Sequence, residues 1–349
     1  MNLTNLTESS DIPPQEAVLR MTMGLGVSRC IYAAAKLGIA DMLTDGPKHC
    51  DDLAAATRMH KDSLYRLLRA LAGIGMFSET QPKVFDLTPM AACLQENVPG
   101  SLRNFIMLRG EEEYACWGEL IHSLQTGESA FDRVHGISRF QYLRENPDAA
   151  KRYNRAMAGI GTGRNNDAVL NACDFSSVKT LVTIGPGQTS LLAAILQRYP
   201  GMQSILFENS NSIETSRDLM EREGLADRCK LLAGNFSESV PPGGDAYLLG
   251  MLHILDDPKA IRVLQNCYQA MSGNGRLLVV ERLISQENTP WRIKFADLNM
   301  LVMSSGRIRT EDEFRCLFES AGFRMTKIFP TKSVVNVIEG VRNADVETI

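Results

Sequence analysis

The chain has 349 residues, a length that accommodates about two domains with sizeable cores. Apolar residues make up 44% and charged residues 22%, which places the chain among ordinary globular proteins rather than disordered or fibrous ones. The net charge of −4 argues against nucleic acid as a partner, because affinity for nucleic acid depends on a basic surface.

Cysteine spacing and the length of apolar runs limit the possible class of protein further. The eight cysteines are scattered and form no C-x-x-C, so the sequence indicates neither a metal site nor a disulfide framework, and a reducing cytoplasm fits best. No apolar run approaches the ~18 residues of a membrane span, and the polar N-terminus lacks the apolar segment of a signal peptide. We therefore expect a cytoplasmic protein with a frayed N-terminal tail and no contact with a membrane.

Residues 1–112 are predicted to form an N-terminal α-helical domain of the winged-helix type. From residue 15 to about 43, apolar residues fall on more than one helical face, which indicates packing on two sides, one of them against a partner subunit. Short helices follow at 51–56 and 61–74, and the strands of a hairpin flank residues 80–83. DNA binding is one interpretation, but the second helix presents only three basic residues (Lys61, Arg66 and Arg69), so dimerisation is favoured.

Residues 113–349 are predicted to form the second domain, and its first part, 113–172, is expected to be helical. Large aromatic and Met side chains are frequent there, and such stripes usually form core. Some of them could instead line an apolar pocket between the domains.

The stretch from Lys179 to Glu208 predicts a strand, a glycine turn, a helix and a second strand. A β-branched run ends at the Gly185-Pro186-Gly187 turn, helical spacing follows, and Glu208 ends the second strand. In such a βαβ unit the glycines let a ligand approach the backbone, and an acid about twenty residues on can hold ribose hydroxyls. The alternative is a tight strand-to-helix connection without a ligand.

Strands and helices continue to alternate to the end of the chain. A buried strand precedes His253, Asp256-Asp257 is interpreted as a helix cap, and residues 310–313 form a capping box. Only a few residues join the last two strands, so they should pair antiparallel at the end of an otherwise parallel sheet. The predicted fold class is therefore α/β, with a Rossmann-like domain after the winged-helix domain.

The order of these motifs resembles a known enzyme family. From about residue 15 to residue 341 the chain is similar to the bacterial S-adenosylmethionine-dependent O-methyltransferases related to caffeate and hydroxyneurosporene O-methyltransferases. A winged-helix start is followed by the motifs LVTIGPG, ILFE, LLAGNF, ESVPPGGDAYLL, LHILDD, NCYQAM, GRLLVVE, DLNMLVM and RTEDEF. The resemblance implies an intertwined homodimer, a class I methyltransferase sheet, a small-molecule substrate and S-adenosylmethionine as cofactor.

The resemblance also implies roles for particular residues. His253 stands at the position of the catalytic base, in the cleft between the domains, and Glu281 at one of two acids flanking it. The cofactor is expected over Gly185 and Gly187, with Glu208 on the ribose hydroxyls and Asn235 and Phe236 near the adenine. No metal is implied.

Several positions depart from the family pattern, and most of them are cofactor contacts. Thr183 and Asn235 replace acids, Thr189 replaces the last glycine of the glycine-rich turn, Gly250 replaces a lysine and Ile308 replaces the second acid beside the histidine. A branched residue at a glycine position of positive φ costs roughly 1–2 kcal/mol, and each 1.4 kcal/mol corresponds to about tenfold in affinity. We therefore expect binding of S-adenosylmethionine to be weak or lost.

Three functions remain open on the sequence. In the first, the chain has left methyl transfer and uses His253 for acid–base, cyclisation or elimination chemistry on a natural product. In the second, it is a working O-methyltransferase in which His253 deprotonates a phenolic or enolic hydroxyl. In the third, it is a dimeric binding protein without catalysis.

Overall fold

The computed structural model describes residues 12–159, 162–185, 187–210, 212–287 and 291–343. The predicted frayed tail therefore lies largely outside the described residues. The helices are α1 (Pro14–Thr22), α2 (Gly24–Leu37), α3 (Ile39–Met42), α4 (Cys50–Thr57), α5 (Lys61–Gly73), α6 (Pro89–Ala92), α7 (Arg103–Gly110), α8 (Tyr114–Gly118), α9 (Leu120–Thr126), α10 (Ala130–His135), α11 (Arg139–Glu145), α12 (Pro147–Gly159), α13 (Thr162–Ala172), α14 (Thr189–Arg198), α15 (Ile213–Arg222), α16 (Asp257–Ala270), α17 (Trp291–Ser304) and α18 (Glu311–Ser320).

The strands belong to two separate sheets. They are β1 (Lys48–His49), β2 (Phe77–Gln81), β3 (Val84–Leu87), β4 (Thr180–Ile184), β5 (Gln203–Glu208), β6 (Cys229–Ala233), β7 (Ala246–Leu249), β8 (Arg276–Glu281), β9 (Phe323–Pro330) and β10 (Asn336–Arg342). Across the described ranges, no helix combines the length and the apolar character that crossing a bilayer would require.

The first compact unit contains the described residues of Met1–Ala115 and Asn146–Gly161. Helices α4 and α5 and the β2–β3 hairpin occur where the sequence predicted them, and the two-residue strand β1 adds to the hairpin. The apolar stripe of α5 is buried in a core with Phe77 and Phe85. Helix α1 has no buried residue, and Val18 and Leu19 on it are about 60% exposed.

Helix α12 joins this unit although it follows residue 113 in the chain. It packs against α7, and the Arg152 guanidinium donates to the Glu112 carboxylate, with 3.1 Å between Nε and Oε1. The division of the structure thus differs from the single boundary after residue 112 that the sequence suggested. A long-range contact of this kind leaves no trace in local periodicity, which is why the sequence did not reveal it.

The second unit, Cys116–Glu145 with the described residues of Thr162–Ile349, is built on a seven-stranded sheet in the order β6-β5-β4-β7-β8-β10-β9. The first five of these strands are parallel, and β10 pairs antiparallel with both β8 and β9. Strand β7 is buried along its whole length, as expected for a parallel strand covered on both faces. The predicted class I methyltransferase sheet with its antiparallel last strand is confirmed.

The sheet order determines where a ligand would bind. The order in which strands are added to the sheet reverses at β4: β5 lies on one side of β4 and β7 on the other. Ile184 at the end of β4 is in register with Phe207 of β5 and Leu249 of β7. In open α/β sheets ligands bind outside the carboxyl ends of the strands at such a switch point.

Candidate active site

His253 and Glu281 are brought together at the carboxyl edge of the sheet. After β7 the chain makes a single 3-10 turn, Leu252–Ile254, which carries His253, while Glu281 is the last residue of β8. The His253 Nδ1 lies 3.0 and 2.9 Å from the two carboxylate oxygens, and the His253 backbone N–H donates to Oε1 at 3.1 Å. Glu281 is 2% exposed, whereas the His253 side chain is 32% exposed.

The electrostatics of this pair favour an ionised carboxylate. Burial works to raise the pKa of Glu281, but the facing His253 ring and the hydrogen bonds from its ring and backbone N–H outweigh burial and lower the pKa below the ordinary value. An ionised carboxylate only accepts hydrogen bonds, so Nδ1 carries a proton, and in the neutral imidazole Nε2 then has a lone pair. No hydrogen bond from the described part of the chain reaches Nε2.

The turn that carries His253 leads directly into α16. Asp256 accepts from the Lys259 backbone N–H at 2.9 Å and caps the helix, with Pro258 in its first turn. The interpretation of Asp256-Asp257 as a cap, rather than a pair of catalytic carboxylates, is thus confirmed.

The glycine turn after β4 leaves room for a ligand at Gly187. Gly185 has a φ of +86°, its N–H donates to the Phe207 carbonyl at 2.9 Å, and a Cβ there would collide with the Met251 sulfur. Gly187 has the same φ of +86°, but a Cβ added to it would meet no atom within 4 Å. Gly185 therefore serves the packing of the fold, whereas Gly187 exposes backbone that a ligand can approach; Pro186 lies outside the described residues.

Glu208 ends β5 as the most enclosed of the predicted cofactor residues. It is 1% exposed, accepts from the Ser216 hydroxyl at 2.7 Å, and has the Thr189 hydroxyl 3.4 Å from its other oxygen. The two hydroxyls are themselves 2.8 Å apart. Burial raises the pKa of Glu208 above its ordinary value, because hydroxyl donors offset the loss of water only in part. Sequence reasoning missed Ser216, since a serine inside a helix carries no motif.

Thr189 does not have the strained backbone that the sequence suggested. It is the first residue of α14, and the described non-glycine residues of positive φ are Arg58, Lys83 and Ser305. Its side chain is buried and its hydroxyl is directed to Glu208 and Ser216. The cost of a branched residue at positive φ therefore does not arise in this structure.

Gly250 is another position that departs from the family pattern, and a neighbouring side chain fills the space beside it. A Cβ added to Gly250 would lie 2.5 Å from the Gln188 amide nitrogen, and that nitrogen is 3.4 Å from the Gly250 carbonyl oxygen. The Gln188 side chain thus occupies the space that a side chain at position 250 would need. By contrast, the Thr183 hydroxyl is fully buried and has no hydrogen-bond partner among the described residues.

Asn235 and Phe236 lie in the loop after β6. The Asn235 side chain accepts from the Ser237 N–H at 3.1 Å and donates to Glu238 at 2.7 Å, so its hydrogen bonds are made within its own loop. Phe236 packs against the core, and its carbonyl accepts from the Asn266 side chain at 2.8 Å. Their contacts with an adenine stay a prediction, as do the roles of the other candidate residues.

Comparison with known proteins identifies the family. Residues 117–324 match the family model of the O-methyltransferase domain, and residues 19–97 match that of the O-methyltransferase dimerisation domain. Together with the sheet order and the position of His253, these matches place the chain in the S-adenosylmethionine-dependent O-methyltransferase family.

Individual relatives are similar over nearly their whole length. Phenazine O-methyltransferase PhzM of Lysobacter antibioticus is 39% identical over 97% of this chain and 99% of its own, and mitomycin biosynthesis 6-O-methyltransferase of Streptomyces lavendulae is 35% identical over 90% and 91%. The structure of CalO1, a methyltransferase of calicheamicin biosynthesis in its SAH-bound form, aligns with a TM-score of 0.78 at 29% identity over 95% of this chain and 100% of its own.

These relatives bear on the three functions that the sequence left open. Each is named as a methyltransferase, two of them in mitomycin or calicheamicin biosynthesis, and none of the three names describes cyclisation, elimination or binding without catalysis. The expectation that this chain has left methyl transfer thus finds no support among them. The comparisons favour the alternative of a methyltransferase.

Proposed function

We propose that this protein is a working S-adenosylmethionine-dependent O-methyltransferase that acts on a phenolic or enolic hydroxyl of a small natural product. The observation that carries the proposal is the His253–Glu281 pair at the carboxyl ends of β7 and β8, beside the switch point of a methyltransferase sheet. Methyl transfer to oxygen needs the hydroxyl proton removed as the oxygen attacks, and a histidine held by a carboxylate is suited to that task.

The proton moves from the substrate hydroxyl to Nε2 of His253. Glu281 holds the ring through Nδ1, so that Nε2 is the nitrogen with a free lone pair. The negative charge of the Glu281 carboxylate stabilises the imidazolium that forms. The backbone N–H of His253 on the same carboxylate restrains the ring further. A ring fixed in this way loses little conformational freedom during the reaction.

The residues at the glycine turn fit S-adenosylmethionine. Gly187 leaves backbone open to a ligand, Glu208 is an acceptor for hydroxyl groups, and α14 begins without a side-chain cap on its first N–H groups. Gly185, Asn235 and Phe236 complete the predicted site. When bound, S-adenosylmethionine supplies an electrophilic methyl group.

We also propose that the affinity for this cofactor is lower than the family pattern would confer. Thr183 lacks a carboxylate at the end of β4, and the Asn235 side chain is engaged within its own loop. At Thr189 and Gly250, two other positions that depart from the family pattern, the contacts with Ser216 and Gln188 accommodate the change. These contacts favour a cofactor site that has changed over one that has been lost. Restoring Thr183→Asp and Asn235→Asp together should tighten binding.

The functional unit is proposed to be a homodimer formed through the N-terminal unit. The dimerisation-domain match begins in α1, and the large apolar residues in and after this helix are exposed: Val18, Leu19, Met21, Met23 and Leu25. An apolar surface of this kind is usually covered by a partner. A monomer by light scattering at micromolar concentration would contradict this part of the proposal.

The deciding experiment joins calorimetry with a methylation assay. Titration with S-adenosylmethionine and S-adenosylhomocysteine tests the cofactor, and mass spectrometry of a panel of phenolic and enolic natural products, phenazines included, tests for a gain of one methyl group. Binding without methylation of any compound by wild type, or no binding at millimolar cofactor, would count against the proposal.

A further inference from the structure

The segment from Ser305 to Thr310 lies directly against the turn that carries His253. A Cβ added to Gly306 would collide with the His253 carbonyl oxygen and lie 2.7 Å from the Ile254 carbonyl carbon. Next to it, Arg309 forms a parallel bridge with Leu283, just beyond β8, and its carbonyl accepts from Ile284 at 3.0 Å. The segment is therefore in contact with the His253 turn and fixed to the extension of the strand that carries Glu281.

Arg309 connects this segment to the backbone on both sides of His253. Its guanidinium donates to the Leu252 carbonyl at 2.9 Å and to the Leu255 carbonyl at 3.0 Å. The same guanidinium binds the Asp257 carboxylate in the first turn of α16 through Nε at 2.9 Å and Nη2 at 2.7 Å. Arg309 is 1% exposed.

Burying a guanidinium fully costs free energy unless its N–H groups are hydrogen-bonded. Four of the five hydrogen bonds of the Arg309 guanidinium go to residues 252–257, and the fifth goes to the Arg307 carbonyl at 3.4 Å. The two carbonyls belong to the residue before His253 and to the second residue after it. The Leu252 carbonyl also accepts from the Leu255 N–H at 3.1 Å, which closes the turn. A fork of several donors that binds the carbonyls at both ends of such a turn can hold it in one conformation. A lysine has a single ammonium and cannot reach both carbonyls and the carboxylate together.

We propose that Arg309 is a positioning residue for the reaction, which fixes the backbone of the His253 turn so that the imidazole stays on Glu281. The inference rests on the proposed role of His253 as the base. Asp297 supports the same segment, because its carboxylate accepts from the Ile308 N–H at 2.7 Å. Ile308 stands where the family has a second acid. The segment that contains it acts through Arg309 and through its backbone, and not through a carboxylate at position 308.

The test compares substitutions at two neighbouring arginines. Arg307 also reaches Asp257, at 3.3 Å, but it is half exposed and its side chain makes no hydrogen bond to the carbonyls around His253. Arg309→Lys and Arg309→Met should lower kcat at least tenfold while KM for the acceptor and the Kd of the cofactor change less than threefold. Arg307→Lys and Arg307→Met should stay within twofold of wild type in all three quantities.

A double-variant comparison separates positioning from general destabilisation. If Arg309 acts through His253, then Arg309→Lys should lower the residual kcat of His253→Gln by less than twofold. An equal loss in both backgrounds, or kcat within twofold of wild type in Arg309→Lys alone, would overturn the inference.

A readout without turnover keeps the inference testable if the proposed function fails. The His253 imidazole resonance, assigned by its disappearance in His253→Gln, should shift or broaden in Arg309→Lys and stay in place in Arg307→Lys. A wild-type protein that lacks methyl transfer would remove the proposed function but leave this spectroscopic test standing. An unchanged resonance in folded Arg309→Lys would remove the positioning role itself.

Discussion

Glu208 and Glu281 end two parallel strands of the same sheet and are almost equally buried, yet their pKa values shift in opposite directions. Glu281 faces an imidazole and a backbone N–H, which lower its pKa, whereas Glu208 faces two hydroxyls, and burial raises its pKa. Burial disfavours the charged carboxylate at both sites; an imidazole together with a backbone N–H outweighs burial at Glu281, whereas two hydroxyls do not outweigh it at Glu208. The charged form is thus favoured at Glu281, whose pKa is lowered, and disfavoured at Glu208, whose pKa is raised.

The largest effect should come from removing the proton acceptor of the Glu281 pair. His253→Gln keeps a hydrogen-bonding side chain but no base, so turnover should fall about 10²–10⁴-fold. The exposed His60, whose Nδ1 lies 3.3 Å from the Ser63 hydroxyl, is the control, and His60→Gln should leave turnover unchanged. Equal turnover in wild type and His253→Gln would exclude His253 as the base.

Glu281→Gln should reduce turnover less than His253→Gln does. The amide oxygen can still accept from His253, but the negative charge that stabilises the imidazolium is lost, and a hydrogen bond to a charged group contributes about 1.5–3 kcal/mol. At 1.4 kcal/mol per decade this is roughly ten- to a hundredfold in kcat. A kcat within a factor of two of wild type would mean that the charge has no part in the reaction.

The two carboxylates should also respond to acid in opposite senses. The folded-state pKa of Glu281 lies below the ordinary value of 4.5, so its ionised form contributes stability above that pH, and the contribution is lost as the pH falls through the folded pKa. The folded pKa of Glu208 lies above 4.5, so its contribution is full below that pH and is lost as the pH rises through the folded pKa.

Urea unfolding of both glutamine variants between about pH 3 and pH 7 measures this difference. Relative to wild type, Glu208→Gln should become more favourable as the pH rises through the window, and Glu281→Gln should become less favourable. The same sign of change in both variants would show that the partners of the two carboxylates do not control their charge.

The smallest effect is expected at the hydroxyl that serves Glu208. Ser216→Ala removes a buried donor, which costs about 1 kcal/mol of stability at neutral pH. It should also lower the affinity for S-adenosylmethionine severalfold, because Glu208 loses the contact that orients it. Unchanged binding by calorimetry would indicate that the carboxylate holds its position without Ser216.

Local sequence patterns predicted most of the fold. The alternation of apolar runs with helical spacing predicted β4, α14 and β5, and the short link between the last two strands predicted their antiparallel pairing. Asp256 and the Thr310 capping box could be predicted as well, because a cap involves residues within one turn of each other. The resemblance to the family then singled out His253 and Glu281.

Only the tertiary structure decided how the unusual residues are accommodated. Thr189 meets Ser216 across two helices, Gln188 fills the space beside Gly250, and Arg309 reaches back more than fifty residues to the turn around His253. None of these contacts has a sequence spacing that could be read in advance, because each depends on where two distant segments pack. Whether a carboxylate is costly or ready to react is set by those contacts, since the same glutamate at the end of the same kind of strand has its pKa raised at one site and lowered at the other.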